Sequence, residues 1–262
     1  MDTTPSDPII KRLPYNISSG VGERARIGLL VLESDQTIEE EFRLLTTLPG
    51  VSIYHARLEN GADVTTEMLS QMEKQIPKTA RLLPNYLGIK AIGYGCTSGS
   101  TVIGERRVEE ILSEAHKGVP STNPLSAAKA ALKIMGVKRL GLITPYSPNI
   151  TSAMQRNFNN ANLQVTIVGS YFEESDINVG RIDEDSIFNA VISIGESDKC
   201  DGVFISCTSL RAAKIIEKAE KAIDKPVTSS NHALAWHLLR LAGIKDTISG
   251  FGSLFSKKRL IL

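Results

Sequence analysis

The sequence predicts an α/β protein of two similar domains. Each is a parallel sheet flanked by helices, and pseudo-two-fold symmetry relates them with the active site between. Two observations carry this. Short apolar runs alternate with helical patterns, the arrangement that gives parallel strands joined by right-handed crossovers. The stretch Ala91-Ile92-Gly93-Tyr94-Gly95-Cys96-Thr97-Ser98 also returns as Gly202-Val203-Phe204-Ile205-Ser206-Cys207-Thr208-Ser209. Gly28 precedes Cys96 by 68 positions and Gly141 precedes Cys207 by 66, so whole half-chains repeat.

Residues 1–23 read as an extended polar arm containing Pro5, Pro8 and Pro14. The first domain takes residues 24–121 and about 231–262, the second 122–230. Arg26–Leu32 is a continuous apolar strand of the buried parallel type. The loop Glu33–Thr37 leads to a helix from Ile38, with Glu39, Glu40 and Glu41 suiting its positive end. A strand over 51–56 follows. Helical spacing runs over 65–83 through Met68, Met72 and Ile76, with Pro77 as a break. Then come the first cysteine strand and a helix near Glu105–Ala115.

In the second half, Ser121-Thr122-Asn123 caps an Ala-rich helix ending near Gly136. A strand over 140–144, a helix over 150–160, a strand over 165–168 and a loop over 173–181 follow. A helix over 186–194 precedes the second cysteine strand, and another over 210–222 follows it. The tail from Pro226, with a helix to Ala242, is the least symmetric part.

Composition excludes several roles. With a net charge of +1 over 262 residues and no Lys/Arg stripe, no nucleic-acid partner is expected. No apolar run is long enough for a membrane helix, and the first residues lack the core of a secretory signal. Three cysteines argue against a disulfide framework and for a reducing compartment, the cytoplasm. His55 lies in a strand, and His232 and His237 flank Trp236. All three read as core packing without metal-ligand spacing, so neither metal nor other cofactor is expected. Cys200 reads as structural, and Tyr94 as packing beneath the site.

The chemistry concentrates at Cys96 and Cys207. Each sits at the carboxyl end of a parallel strand, where open α/β sheets place their sites. Thr97, Ser98, Thr208 and Ser209 then fall in the first turns of the following helices, as donors to a substrate anion. If the strand ends face each other, two thiols approach one cleft from opposite sides. Such a pair can remove a proton from one face of a carbon and return it to the other. A thiolate can also add to an activated double bond. A non-catalytic ligand binder stays open, since fold alone does not imply catalysis.

The motifs Ser34-Asp35-Gln36-Thr37, Cys96-Thr97-Ser98, Pro145-Tyr146, Asn178 ahead of Gly180-Arg181-Ile182, Cys207-Thr208-Ser209 and Ser230–His237 share a further property. With them the chain resembles the Asp/Glu racemase superfamily after residue 24. More narrowly it is similar to the maleate isomerase and arylmalonate decarboxylase branch, which includes ectoine-utilisation racemase-like proteins. The resemblance implies that Cys96 adds to a double bond in the isomerase chemistry while Cys207 handles the proton. It also implies that Tyr146 and Asn178 bind a substrate carboxylate, that no cofactor takes part, and that the protein is a homo-oligomer, a dimer or tetramer. Arylmalonate decarboxylases keep only the second cysteine, so the presence of both argues against decarboxylation.

Maleate isomerases carry an asparagine in the first loop where this chain places Asp35. An amide donates to a carboxylate; an ionised Asp only accepts, and suits an ammonium or hydroxyl. Asp35 also suits a simple helix-capping role. The leading expectation is therefore a two-cysteine racemase or isomerase of a small carboxylic or amino acid. Maleate cis–trans isomerisation is the alternative.

Overall fold

The computed structural model describes residue 8 and residues 10–61, 71–258 and 260. Its strands form two four-stranded parallel sheets. The first holds β1 (Ala25–Leu32), β2 (Val51–Leu58), β3 (Ala91–Gly95) and β4 (Ser121–Thr122), ordered β2-β1-β3-β4. The second holds β5 (Arg139–Thr144), β6 (Gln164–Ser170), β7 (Gly202–Ile205) and β8 (Val227–Ser229), ordered β6-β5-β7-β8. One strand order drawn twice is the structural form of the sequence repeat.

Burial follows each strand's place. The central strands β1, β3, β5 and β7 are buried almost throughout, as their unbroken apolar runs require. β2 is an edge strand, and its period of two sends Ala56 and Leu58 inward and His55 and Arg57 outward. His55 is therefore exposed, and its expected place in the core is corrected. His232 is buried and His237 half-buried. The first contacts Thr228 Oγ1 through Nδ1 (2.9 Å) and the Phe251 carbonyl through Nε2 (2.6 Å), and the second contacts Thr122 Oγ1 (2.8 Å). Burial depresses both imidazoles to about 4, so they pack as neutral rings.

The tail is more symmetric than the sequence suggests. β4 leads into helix Pro124–Ile134 and β8 into helix Ser230–Leu241, so the halves end alike. Ser121 and Thr122 are strand residues, and the cap is Asn123, whose Oδ1 accepts from the Leu125 and Ser126 amides at 3.1 Å. Ser229 caps the second helix through the His232 amide. The two helices pack on each other, and Ser230–Leu241 also lies on β3, β4 and helix Ile38–Leu45. That close approach depends on Gly93, where a Cβ would stand 2.8 Å from Leu238 Cδ1.

Two helix expectations change. Pro77 opens helix Ile76–Ala80 instead of breaking one, because a first-turn residue needs no amide donor. Met68 and the rest of 62–70 lie outside the described residues, as do residues 1–7 and 9 of the arm. The described part of the arm carries Ile10, Leu13, Tyr15, Ile17 and Val21 exposed. The helix expected over 210–222 begins only at Ile216, for reasons given below. Among the described residues no helix is long and apolar enough to cross a membrane.

Replacing Gly93 by Val forces the new side chain against Leu238 and Leu29. The expected cost is about 1–3 kcal/mol of stability, read as a lowered urea midpoint with an unchanged m-value.

Candidate active site

Cys96 follows β3 directly and is the N-cap of helix Thr97–Ile103. Its own sulfur does the capping: Sγ accepts the Gly99 amide at 3.2 Å and lies 3.6 Å from Ser98 Oγ. Thr97 and Ser98 stand in the first turn of this helix, as expected, and the Thr97 hydroxyl is turned to Ser230 Oγ at 2.8 Å. Gly99 keeps the space open, since a Cβ there would lie 2.5 Å from the Tyr94 hydroxyl and 3.0 Å from Cys96 Sγ. Burial pushes the Cys96 thiol up to about 11, with the Ser98 and Gly99 donors pulling the other way.

Cys207 is built differently. Its φ of +109° is a conformation that side-chain-bearing residues rarely adopt. No helix starts after it, which corrects the expected first-turn placement of Thr208 and Ser209. The reason lies in where the backbone groups of residues 207–213 find partners. The Cys207 amide donates to Ser230 Oγ (3.0 Å), while the Thr208 carbonyl accepts from Asn231 Nδ2 (2.7 Å). The Ser209 carbonyl accepts from Thr37 Oγ1 (2.8 Å), and the Ala213 amide donates to Glu41 Oε1 (2.6 Å). A segment held by four side chains from other elements does not wind into a helix. Ser230 accepts from both Thr97 and the Cys207 amide, so one hydroxyl ties the two cysteine segments together. Both thiols are free and nearly inaccessible, Cys96 2% and Cys207 7% exposed.

Around them lie buried carboxylates and two phenols. Asp35 Oδ1 accepts the Thr37 and Ile38 amides at 2.8 Å each, so the capping role is real, while Oδ2 is buried without a partner. Asp176 opens the short helix Asp176–Val179 and takes Ser209 Oγ (2.7 Å) on one oxygen and Ser34 Oγ (2.5 Å) on the other. Glu41 Oε2 accepts from Asn231 Nδ2 at 2.8 Å. Burial raises Asp35 to about 6 and Glu41 to about 7, against the amides that favour their charged forms. The negative field of Asp176 opposes ionisation of both thiols, and that of Asp35 adds to it at Cys207. Burial also drives the Cys207 thiol upward, helped little by its Ser209 amide and Tyr146 neighbours. The Tyr146 and Tyr94 hydroxyls are buried without partners, Tyr146 beside Cys207 and Tyr94 beside Cys96.

The structure brings Asp35, Cys96, Thr97, Ser98, Tyr146, Cys207, Thr208 and Ser209 to one place at the carboxyl ends of both sheets. It does not bring Asn178 there. That side chain is exposed and donates to Glu173 Oε2 at 3.4 Å, while Asp176, one half-turn earlier, faces the thiols. Glu41 and Asp176 were not singled out from the sequence as site residues, and Ser230 and Asn231 entered only within the Ser230–His237 motif. For Glu41 the signal existed, since it shares the apolar stripe of Ile38, Phe42 and Leu45. Cys200 packs structurally, its thiol against the Ile194 carbonyl at 3.4 Å. Among the described residues no group of three or more His, Cys, Asp or Glu is placed to hold a metal ion.

Comparison with known proteins fits this arrangement. The family model described as arylmalonate decarboxylase matches residues 39–255. The chain belongs to the arylmalonate decarboxylase family. Its members are enzymes, and the relatives include maleate isomerases. A maleate isomerase of Geobacillus stearothermophilus is 22% identical over 246 residues, spanning 89% of this chain and 98% of its own. The crystal structure of a cysteine-to-alanine maleate isomerase from Pseudomonas putida S16 with maleate superposes with a TM-score of 0.81. It is 20% identical and covers 89% of this chain and 98% of its own. A cysteine-to-serine mutant of the Nocardia farcinica maleate cis–trans isomerase, holding a covalently bound succinylcysteine intermediate, superposes with a TM-score of 0.79. It is 23% identical and covers 88% of this chain and 98% of its own. These names favour the cis–trans isomerase alternative over the racemase expectation.

The carboxylate shifts carry a sign for stability. Asp35 and Glu41 hold protons in the folded state more tightly than an unfolded carboxylate does. Their contribution is greatest below about pH 4 and is lost as pH rises through 6–7. Urea stability is expected to fall between about pH 5 and pH 8, and Glu41→Gln to flatten that fall. An equal slope in wild type and variant contradicts the assignment.

Proposed function

We propose that the protein is a cofactor-independent cis–trans isomerase of a short α,β-unsaturated carboxylic acid, with Cys96 as covalent nucleophile and Cys207 as proton donor. The observation that carries this reading is the unlike setting of the two thiols. Cys96 Sγ already accepts a backbone amide and lies near a hydroxyl, the donors that favour a thiolate. Cys207 is kept protonated by burial, with Asp176 and Asp35 adding to it, whereas at Cys96 the Ser98 and Gly99 donors each outweigh the Asp176 field. The covalent succinylcysteine of the Nocardia farcinica relative supports the same division of labour.

The steps balance without an external reagent. The Cys96 thiolate forms a C–S bond to one alkene carbon, and the π pair moves to its neighbour, which takes the Cys207 S–H proton. The former double bond is now single and rotates. The Cys207 thiolate takes the proton back, the π bond re-forms, and the C–S bond breaks to return the Cys96 thiolate. The adjacent carboxylate must bear charge while the pair is displaced, so donors near it carry much of the catalysis. Ser98 and Tyr146 supply hydroxyls for this, the Tyr146 group being unpartnered at rest. Racemisation by the same pair remains the second reading, favoured by Asp35 as a partner for an amino group.

Proton NMR in deuterated water with intact-mass spectrometry tests the reading. A cis acid should become trans, and Cys207→Ser should accumulate an adduct on Cys96 weighing one substrate. Cys96→Ala should lose both turnover and adduct. Deuterium entering a saturated α-carbon with no adduct would favour the racemase. Because the Cys96 thiol sits at about 11, iodoacetamide labelling of Cys96 should climb with pH well past 9. A plateau near neutral pH contradicts this setting.

A further inference from the structure

The thiols sit in a buried cluster of negative charge that the protein does not answer. Asp35, Asp176 and Glu41 are 2%, 5% and 5% exposed. Among the described residues no lysine or arginine side chain forms an ion pair with any of them. Glu41 is committed to the Ala213 amide and Asn231. Asp176 has one hydroxyl donor on each oxygen and keeps lone-pair capacity beside both. Asp35 Oδ2 accepts no hydrogen bond of ordinary length, the Thr208 hydroxyl standing off beside the carboxylate, and the Tyr146 hydroxyl beside Cys207 is likewise without a partner. A buried carboxylate oxygen left without a donor is costly unless a ligand supplies one.

We propose that the substrate carries an ammonium group, which seats between Asp35 and Asp176, while its carboxylate takes the Tyr146 and Ser98 hydroxyls. The natural substrate class is then a short unsaturated amino acid rather than a dicarboxylate. The ammonium gives its protons to Asp35 Oδ2 and the free lone pairs of Asp176, which a second carboxylate cannot do. Asp35 and Asp176 are adjacent by construction: Ser34 bonds Asp176, and Thr37 and Asp176 both hold Ser209. The placement of the double bond at Cys96 rests on the isomerase reading above; the ammonium seat does not. The ammonium keeps its protons throughout, so the balance of the addition and elimination is unchanged. The rival arrangement is a protonated Asp35 donating to a second substrate carboxylate.

Saturated analogues separate the two questions, because they bind without reacting. Isothermal titration at pH 7.5 compares 4-aminobutyrate with succinate on the full chain, and NMR follows cis-4-aminocrotonate and maleate. The expected result is 4-aminobutyrate binding at least about tenfold tighter than succinate. Asp176→Asn should erase most of that preference, and Asp35→Asn, which keeps the oxygen that caps Ile38, should do the same. Succinate binding as tightly, or no binding of 4-aminobutyrate, overturns the proposal, and turnover of maleate would then leave the isomerase reading standing. Binding of 4-aminobutyrate with cis-4-aminocrotonate neither isomerised nor captured on Cys96 upholds the ammonium seat and sinks the isomerase reading instead.

Discussion

One hydroxyl holds the two halves of the site in register. Ser230 Oγ accepts from the Thr97 hydroxyl beside the first cysteine and from the backbone amide of the second. It can do so because β8 delivers the start of helix Ser230–Leu241 to the seam between the sheets. Asn231, the next residue, reaches the Thr208 carbonyl and Glu41. The Cys207 segment is thereby fixed by side chains of other elements. That fixing sustains the positive φ at Cys207, a conformation that costs roughly 1–3 kcal/mol and persists only where the surroundings impose it.

The same fixing makes two similar sequence motifs chemically unlike. After β3 the chain winds into a helix whose cap is the Cys96 sulfur. After β7 it cannot, since its amides and carbonyls are already taken. Both thiols have donors and both face Asp176, but after burial the donors come first at Cys96, whereas at Cys207 the Asp176 field comes first and Asp35 adds to it. In a buried, weakly screened environment such differences order the two ionisations. A nucleophile and an acid can then coexist at one pH.

Much of the fold was legible in the sequence. The buried strands read as unbroken apolar runs, and the spacing of the two cysteine motifs revealed the repeat. The short strands β4 and β8 were not legible as strands, having three residues or fewer, so the symmetry of the tail was missed. The site was half legible. The cysteines, Asp35 and Tyr146 stand at strand ends, where pattern and position agree. Asp176 stands on a single-turn helix whose facing residue depends on the docking of that turn. Local sequence does not encode that docking, and Asn178 points outward as a result. Ser230 and Asn231 act through contacts more than 20 residues away in sequence, which no local pattern records.

The order in which the thiols ionise tests the account most directly. Protein labelled with 13C at cysteine Cβ, assigned through single Cys→Ser variants, reports each titration separately. The account predicts that Cys96 loses its proton first and Cys207 only at higher pH, beyond the range of an ordinary thiol. Cys207 titrating first, or both together near an ordinary thiol pKa, would contradict it.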